Sequence, residues 1–433
     1  MDRRLPAGQG FRAVLRAHHD TGVHRRGQQL RTRDRRRHRC LRRHLGAGPG
    51  RGRRSADRSP GAGRAGLRQP LAAETLDHRV TGTAQVVVIG GGQAGLAAGY
   101  CLRRAGLDFV ILDAQAQPGG AWSHGWDSLR LFSPARHSLL PGWPMPPYPG
   151  PGYPTAGHVV EYLAAYEKRY ALPIRRAETV TAVSHDGTRF AVSTDTGKWS
   201  AEAVVSATGT WWRPFLPLMP GGFTGRRLHT VDYRGPEEFA GQDVVVVGGG
   251  NSGAQIAADL AGVANLTWVT RRPPRYLPDH IDGKALFDVA TRRRQALETG
   301  QADTAGVAGL GDIVAVPSVR EARDAGLLRR REMFARLDSD GPVWTDGTRR
   351  HADAVIWCTG FRPSLGHLAP LRLRTTRGRI PTEGTRAVAE PRLHLLGYGD
   401  WTGPASATII GVGMTARAAV DDLEAGGGRR AIL

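Results

Sequence analysis

Two glycine triplets carry the most legible chemistry in this chain. Gly90, Gly92 and Gly95 follow the apolar run Gln85-Val86-Val87-Val88-Ile89, and Gly248, Gly250 and Gly253 follow Val244-Val245-Val246-Val247. In a strand–turn–helix unit the first glycine permits a tight turn, the second lets a pyrophosphate approach the backbone, and the third lets helix and strand pack closely. The helix N-terminus then offers unpaired N–H groups and the positive end of its dipole to phosphate oxygens. A second apolar strand follows each triplet. Phe109-Val110-Ile111-Leu112 ends at Asp113, and Leu266-Thr267-Trp268-Val269 leads to Arg271-Arg272. Gly90 to Asp113 spans 23 positions, and so does Gly248 to Arg271. The two units are in register, but their strand tips differ in chemistry. A carboxylate accepts hydrogen bonds from ribose hydroxyls, which suits FAD. A guanidinium pair suits a 2′-phosphate, which marks NADPH.

Spacing alone would not suffice. Glycine makes up 58 of 433 residues, so a bare triplet is expected about once by chance. Gly61, Gly63 and Gly66 are such a decoy: no strand precedes them, and Pro70 would stop a following helix. The other two triplets have the right context. Their preceding β-branched runs read as parallel strands buried on both faces, and Leu96–Arg104 and Ala254–Ala261 read as helices.

Further segments must hold these units in place. Pro118-Gly119-Gly120-Ala121-Trp122 lets the chain pass close to a flavin, with Trp122 beside the ring. The strands Val204–Ser206 and Val355–Trp357 each run into a Thr-Gly pair, Thr208-Gly209 and Thr359-Gly360, where the chain leaves one nucleotide domain and returns to it. Leu393–Leu396 precedes a glycine turn and Asp400, and a helix is expected within 405–423. The fold expected is α/β, with two Rossmann-like dinucleotide-binding domains and the second inserted into the first. An extension at 1–82 precedes FAD-domain segments at 83–215 and 358–433, which flank an NADPH domain at 216–357. Residues 275–335 carry no motif and are expected to roof a substrate pocket.

Charge is unevenly distributed. The chain carries +21, and about +15 of this lies in residues 1–82, which hold 21 arginines, six acids and no lysine. Blocks such as Arg35-Arg36-Arg37 have nothing apolar to bury and read as disordered. No aromatic residues interleave as a stacking platform would need. That favours a solvated extension, or translated upstream sequence, over a nucleic-acid tail. Cys40, Cys101 and Cys358 form no CxxC pair, which argues against a disulfide framework, a zinc site or a dithiol centre and suits a reducing cytoplasm. No apolar run reaches the ~18 residues of a membrane span, and arginines interrupt anything like a signal peptide.

Phe223-Thr-Gly225-Arg-Arg-Leu-His229-Thr-Val-Asp-Tyr233 resembles the FxGxxxHxxx(F/Y) fingerprint of the flavin-containing monooxygenases. Baeyer–Villiger enzymes carry Trp at the last position, so Tyr233 places the likeness in the former branch. Trp122-Ser-His-Gly-Trp126-Asp-Ser-Leu-Arg130-Leu-Phe-Ser-Pro134, with Leu140-Pro-Gly-Trp-Pro-Met-Pro146, is similar to the monooxygenases encoded beside arsenic-resistance genes. The likeness covers residues 83–423. It implies FAD contacts at Gly90, Gly92, Gln93, Ala94, Gly95, Asp113, Gly120, Trp122, Thr208, Gly209 and Asp400. It implies NADPH contacts at Gly248, Gly250, Asn251, Ser252, Gly253, Arg271 and Arg272. Asn251 and Trp122 are the candidate catalytic contacts near flavin C4a, and His229 is expected to shape the linker between domains. The implied reaction is hydride transfer from NADPH to FAD. Oxygen transfer would follow, from a C4a-hydroperoxide to a small soft nucleophile such as an organoarsenical. The implied partners are that substrate and O2, with no membrane; nucleic acid is disfavoured and a homodimer stays open. Two alternatives stand beside this reading. One is an NADPH oxidase or flavin reductase that transfers no oxygen. The other is a redox-sensing nucleotide binder with a nucleic-acid-binding tail.

Overall fold

The computed structural model describes residues 80–279, 312–375 and 379–428, with a few positions between 281 and 292. The arginine-rich segment up to residue 79, with Cys40 and the triplet at Gly61, Gly63 and Gly66, lies outside the described residues.

The chain runs through β1 (Val80–Ile89), α1 (Gln93–Arg104), β2 (Phe109–Leu112), α2 (Ala156–Arg169), β3 (Ile174–Arg175), β4 (Val180–His185), β5 (Phe190–Thr194) and β6 (Lys198–Ser206). It continues with β7 (Arg226–His229), β8 (Asp243–Val247), α3 (Asn251–Leu260), β9 (Asn265–Thr270), α4 (Pro317–Asp324), β10 (Arg330–Glu332), β11 (Arg336–Asp338), β12 (Gly341–Val343) and β13 (Ala354–Trp357). It closes with β14 (Thr382–Glu383), β15 (Arg386–Ala387), β16 (Glu390–Leu395) and α5 (Ile409–Gly428).

The strands form two main sheets. The first has the order β14-β15-β16-β6-β1-β2-β3, with the β4–β5 hairpin joined to the start of β6; the second has the order β10-β9-β8-β13-β7. The pairs flanking β1 and every pair in the second sheet are parallel. Such strands are covered on both faces, which is why they read as unbroken apolar runs. In the first sheet Val86, Val88 and Ile111 face α1 and α5, whereas Val87, Ile89, Val110 and Leu112 share the other core with Phe190, Leu393 and Leu395.

Three expectations need correction. The extension does not reach residue 82. Val80 and Gly82 already pair with Lys198 and Trp199, and Gly82 lies flat against the Trp199 ring, where a Cβ would collide. Residues 275–335, where described, build the second sheet rather than a roof. Val319 and Ala322 of α4 are buried against that sheet's core side, β10 runs parallel to β9, and Phe334 is in the core. The last helix extends past residue 423, to Gly428. Among the described residues no helix is long and apolar enough to cross a membrane.

Candidate functional site

The C-terminal ends of β1, β2, β6 and β16 meet at one crevice of about 670 Å³, opened by the N-terminus of α1. β1 is flanked by β2, next in the chain, on one side and by β6, reached later through the β4–β5 hairpin, on the other. Ligands of open α/β sheets bind at such a switch point. Gly90 turns the chain at φ +105°, a conformation that favours glycine, and its N–H donates to the Leu112 carbonyl at 2.8 Å. A Cβ on Gly95 would collide with the Gly90 carbonyl oxygen, so only glycine allows helix and strand to approach this closely. A Cβ on Gly120 would lie 2.8 Å from the Gly92 Cα. The 3-10 segment Gly120–His124 therefore presses directly on the glycine turn. Gly90, Gly92, Gln93, Ala94, Gly120, Trp122, Thr208 and Gly209 all line the crevice. A glycine cradle, an uncapped helix N-terminus and a carboxylate at the strand tip fit the pyrophosphate and ribose of FAD.

Asp113 stands just beyond β2, lines the crevice and is buried. Burial pushes its carboxyl above the ordinary 3.8, while the Arg176 guanidinium and the Gly91 and Gln115 backbone hold it down. Arg176 bridges Asp113 and Glu167 and donates to the Gln117 carbonyl at 3.3 Å. Glu178 lies nearby, buried and accepting from Trp199 Nε1 at 2.7 Å and Thr194 Oγ1 at 3.2 Å. Sequence reasoning missed both Arg176 and Glu178. Arg176→Met removes the cation that opposes the burial penalty on Asp113. The carboxylate is lost as pH falls through its folded pKa, and the variant raises that pKa further. Flavin release on acidification, read as recovered flavin fluorescence, is expected to begin at a higher pH than in the wild type. An unchanged midpoint would show that Arg176 does not govern Asp113.

Further walls of the crevice are tied together by Gln93. Its Oε1 accepts from Trp122 Nε1 at 2.9 Å, and its Nε2 donates to the Ala407 carbonyl at 2.8 Å. Ala407 lines the crevice two residues before the start of α5, where Thr408 Oγ1 caps the helix by accepting from the Gly411 N–H at 3.0 Å. The positive end of the α5 dipole is thus presented beside the crevice. Below lies a polar floor. Ser206 Oγ bonds His367 Nε2 at 3.1 Å and the Tyr398 hydroxyl at 3.2 Å, and Tyr398 also bonds Thr208 Oγ1 at 2.9 Å. Burial and Arg374 push His367 down to about 4, so it is neutral near pH 7.

Asp400 does not join this group. Gly397 (φ +85°) and Gly399 (φ +68°) fold the chain back so that Tyr398 points inward and Asp400 is exposed, outside the crevice lining. Thr402 and Ser406 clamp the turn through the Gly399 carbonyl.

The second sheet repeats the plan. The Gly248 N–H donates to the Val269 carbonyl at 2.9 Å, and the Cys358 N–H to the Val247 carbonyl at 2.8 Å, matching the Gly90–Leu112 and Ala207–Ile89 bonds of the first sheet. A Cβ on Gly253 would collide with the Gly248 carbonyl oxygen, whereas one on Gly250 meets open space. α3 begins at Asn251 and Ser252. Arg271 and Arg272 directly follow β9, and both are exposed. Asn251 has a structural tie besides its expected role. Its Oδ1 accepts from the Val314 N–H at 2.8 Å, which pins the segment before α4 to the start of α3, and Asn251 is not among the flavin-crevice residues.

The two described cysteines and His229 do not supply other chemistry. Burial pushes the Cys101 thiol up to about 11 and the Cys358 thiol up to about 12, so neither is a thiolate near neutrality. Cys101 sits in α1 of the first sheet and Cys358 at the tip of β13 in the second, so they form no dithiol centre. His229 is buried at the end of β7. Its Nδ1 accepts from the Val231 N–H at 3.4 Å, so its Nε2–H donates to the Gly360 carbonyl at 3.1 Å. A neutral imidazole with both nitrogens engaged shapes the chain where the sheets join.

Residues 87–317 match the pyridine nucleotide-disulphide oxidoreductase family. The solved flavin-containing monooxygenase of Stenotrophomonas maltophilia is 50% identical, with a TM-score of 0.72, covering 79% of this chain and 98% of that one. A CzcO-like oxidoreductase of Geobacillus kaustophilus is 29% identical, over 78% of this chain and 97% of its own. The rice indole-3-pyruvate monooxygenase YUCCA1 is 28% identical, over 73% and 85%. The chain belongs to the flavin-containing monooxygenases within this oxidoreductase family. It is a flavin-dependent oxidoreductase, and the cofactors of its family are FAD and NADPH.

Proposed function

We propose that the chain is an NADPH-dependent monooxygenase that places one oxygen atom of O2 on a small soft nucleophile. The observation supporting this reading is the contrast between two equivalent strand tips, buried Asp113 after β2 and exposed Arg271-Arg272 after β9. The first suits an adenosine ribose and the second a 2′-phosphate. Bound FAD would accept hydride from NADPH and activate O2, one oxygen atom going to substrate and the other to water. The protein's part is placement. Gly90, Gly92, Gly95 and the start of α1 hold the diphosphate, while Gln93 keeps Trp122 and the Ala407 turn closed over the flavin end. The start of α5 favours negative charge on the reduced ring. No side-chain nucleophile is needed, and the two described cysteines are protonated.

An organoarsenical is the finer substrate proposal, since it rests on the likeness of Trp122–Pro134 and Leu140–Pro146. We also propose a cytoplasmic setting and no membrane partner. The tail that a redox-sensing nucleic-acid binder would use lies outside the described residues. The remaining competitor is an oxidase that reduces O2 without transferring oxygen. NADPH consumed and peroxide released are measured against a panel of sulfides, amines and trivalent arsenicals under labelled O2. Peroxide should fall well below one per NADPH with a true substrate, whose product gains one labelled atom. One peroxide per NADPH with every compound would favour the oxidase.

A further inference from the structure

The segment Trp126–Phe132 is a seam between the two sheets. Trp126, Leu129 and Phe132 pack into the core of the second sheet, while Leu131 between them packs into the core of the first. The segment starts four residues after Trp122, which lines the flavin crevice. Helix α3, whose N-terminus faces the proposed nicotinamide dinucleotide, is fastened to this seam by two side chains. Gln255 is 4% exposed, and its Oε1 accepts from the Arg130 N–H at 3.2 Å while its Nε2 donates to the Arg130 carbonyl at 3.4 Å. One amide thus satisfies both polar groups of one residue across the seam. Asp259, one turn on and so on the same helix face, accepts a short bond from Ser128 Oγ and a 3.4 Å bond from the Tyr233 hydroxyl. Tyr233 meets the Trp126 ring edge to face at 5.8 Å, and Arg234 donates to the His124 carbonyl at 3.4 Å.

We infer that Gln255 and Asp259 are positioning residues for hydride transfer, fixing the nucleotide-binding helix at one distance and angle from the flavin crevice. This rests on the proposed function. Neither residue lines the crevice or belongs to a glycine turn, so a purely local role would leave flavin reduction alone. Hydride transfer requires donor and acceptor within about 3–3.5 Å and aligned, so a small tilt of α3 slows the step without ejecting either nucleotide. The two contacts also give the Trp126–Arg130 and Tyr233 motifs a shared purpose: both meet α3.

The test is anaerobic stopped-flow reduction of the FAD-loaded full chain by saturating NADPH, for wild type, Gln255→Leu, Asp259→Ala and the double variant. The limiting reduction rate should fall about tenfold in each single variant and further in the double. Flavin content and apparent NADPH affinity should stay within about twofold. The flavin absorbance change on adding NADP⁺ should shrink in parallel, and the closer replacements Gln255→Glu and Asp259→Asn should recover part of the rate. These milder replacements carry the test if the larger ones lose flavin. Reduction rates at the wild-type value, or losses explained wholly by flavin or NADPH affinity, would overturn the inference. A wild-type chain that NADPH does not reduce would instead overturn the proposed function on which it rests.

Discussion

A Gly95→Ala chain is expected to purify nearly colourless, whereas Gly253→Ala is expected to stay yellow and lose reduction by NADPH. Each glycine holds its helix against the carbonyl of the first glycine in its own turn: Gly95 against Gly90, and Gly253 against Gly248. The obstacle is backbone, not the end of a flexible side chain, so the helix must lift. Overpacking of this kind costs about 1–3 kcal/mol, which most domains survive. The diphosphate site does not, because its donors are the N–H groups that the lift displaces. Each charge-assisted bond lost costs about 1.5–3 kcal/mol, so losing two lowers affinity by at least a hundredfold. The crossed outcome matters because both substitutions make the same backbone collision in their own turn. Flavin content from the visible-to-ultraviolet absorbance ratio, melting temperature and anaerobic reduction give the answer. Two variants that both stay yellow and reducible would break the assignment of both turns.

The parts legible in the sequence share one property: they are fixed by neighbours along the chain. Strand runs, glycine offsets and strand-tip residues are local, so Gly90, Asp113, Gly248 and Arg271 fall where their spacing places them. What stayed hidden depends on distant partners. Arg176 meets Asp113 across 63 positions, and Gln255 meets Arg130 across 125. Nothing in either residue's own surroundings in the sequence signals the pairing. The position of Asp400 was hidden for a subtler reason. An acid after a glycine turn is a reliable signal only if the turn has one shape, and here two left-handed glycines two residues apart swing Tyr398 inward in its place. The tie made by Asn251 was hidden because a polar residue opening a helix serves equally as a ligand contact or as an anchor for another segment, and here its oxygen accepts from the Val314 N–H. Even so, a signal for the seam was present. The Trp126–Arg130 stretch and the Tyr233 fingerprint lie far apart in sequence, and neither belongs to a nucleotide turn, as expected of residues that hold two such turns together.

Arg271→Ser is expected to lower kcat/KM for NADPH by about ten- to hundredfold, the worth of one charge-assisted phosphate contact, and to leave NADH within about twofold. The backbone beneath the arginines is anchored, since Thr270 Oγ1 donates to the Arg272 carbonyl at 2.6 Å and accepts from Arg330 Nε at 3.2 Å. A change at residue 271 should therefore remove charge without moving the strand tip. Arg331 is held elsewhere, stacked 3.7 Å over the Trp344 ring, so it is poorly placed to substitute. Arg272, exposed beside Arg271 at the same strand tip, is the reserve, and Arg271→Ser/Arg272→Ser should erase the preference for the phosphorylated coenzyme almost completely. Because both side chains are exposed, their attraction for a 2′-phosphate is screened by salt. The NADPH-to-NADH ratio of the wild type should fall as ionic strength rises, while that of the double variant should stay flat. Equal loss with both coenzymes would mean that the arginines support the fold of the strand tip. A preference that survived both substitutions would place phosphate recognition on another part of the chain.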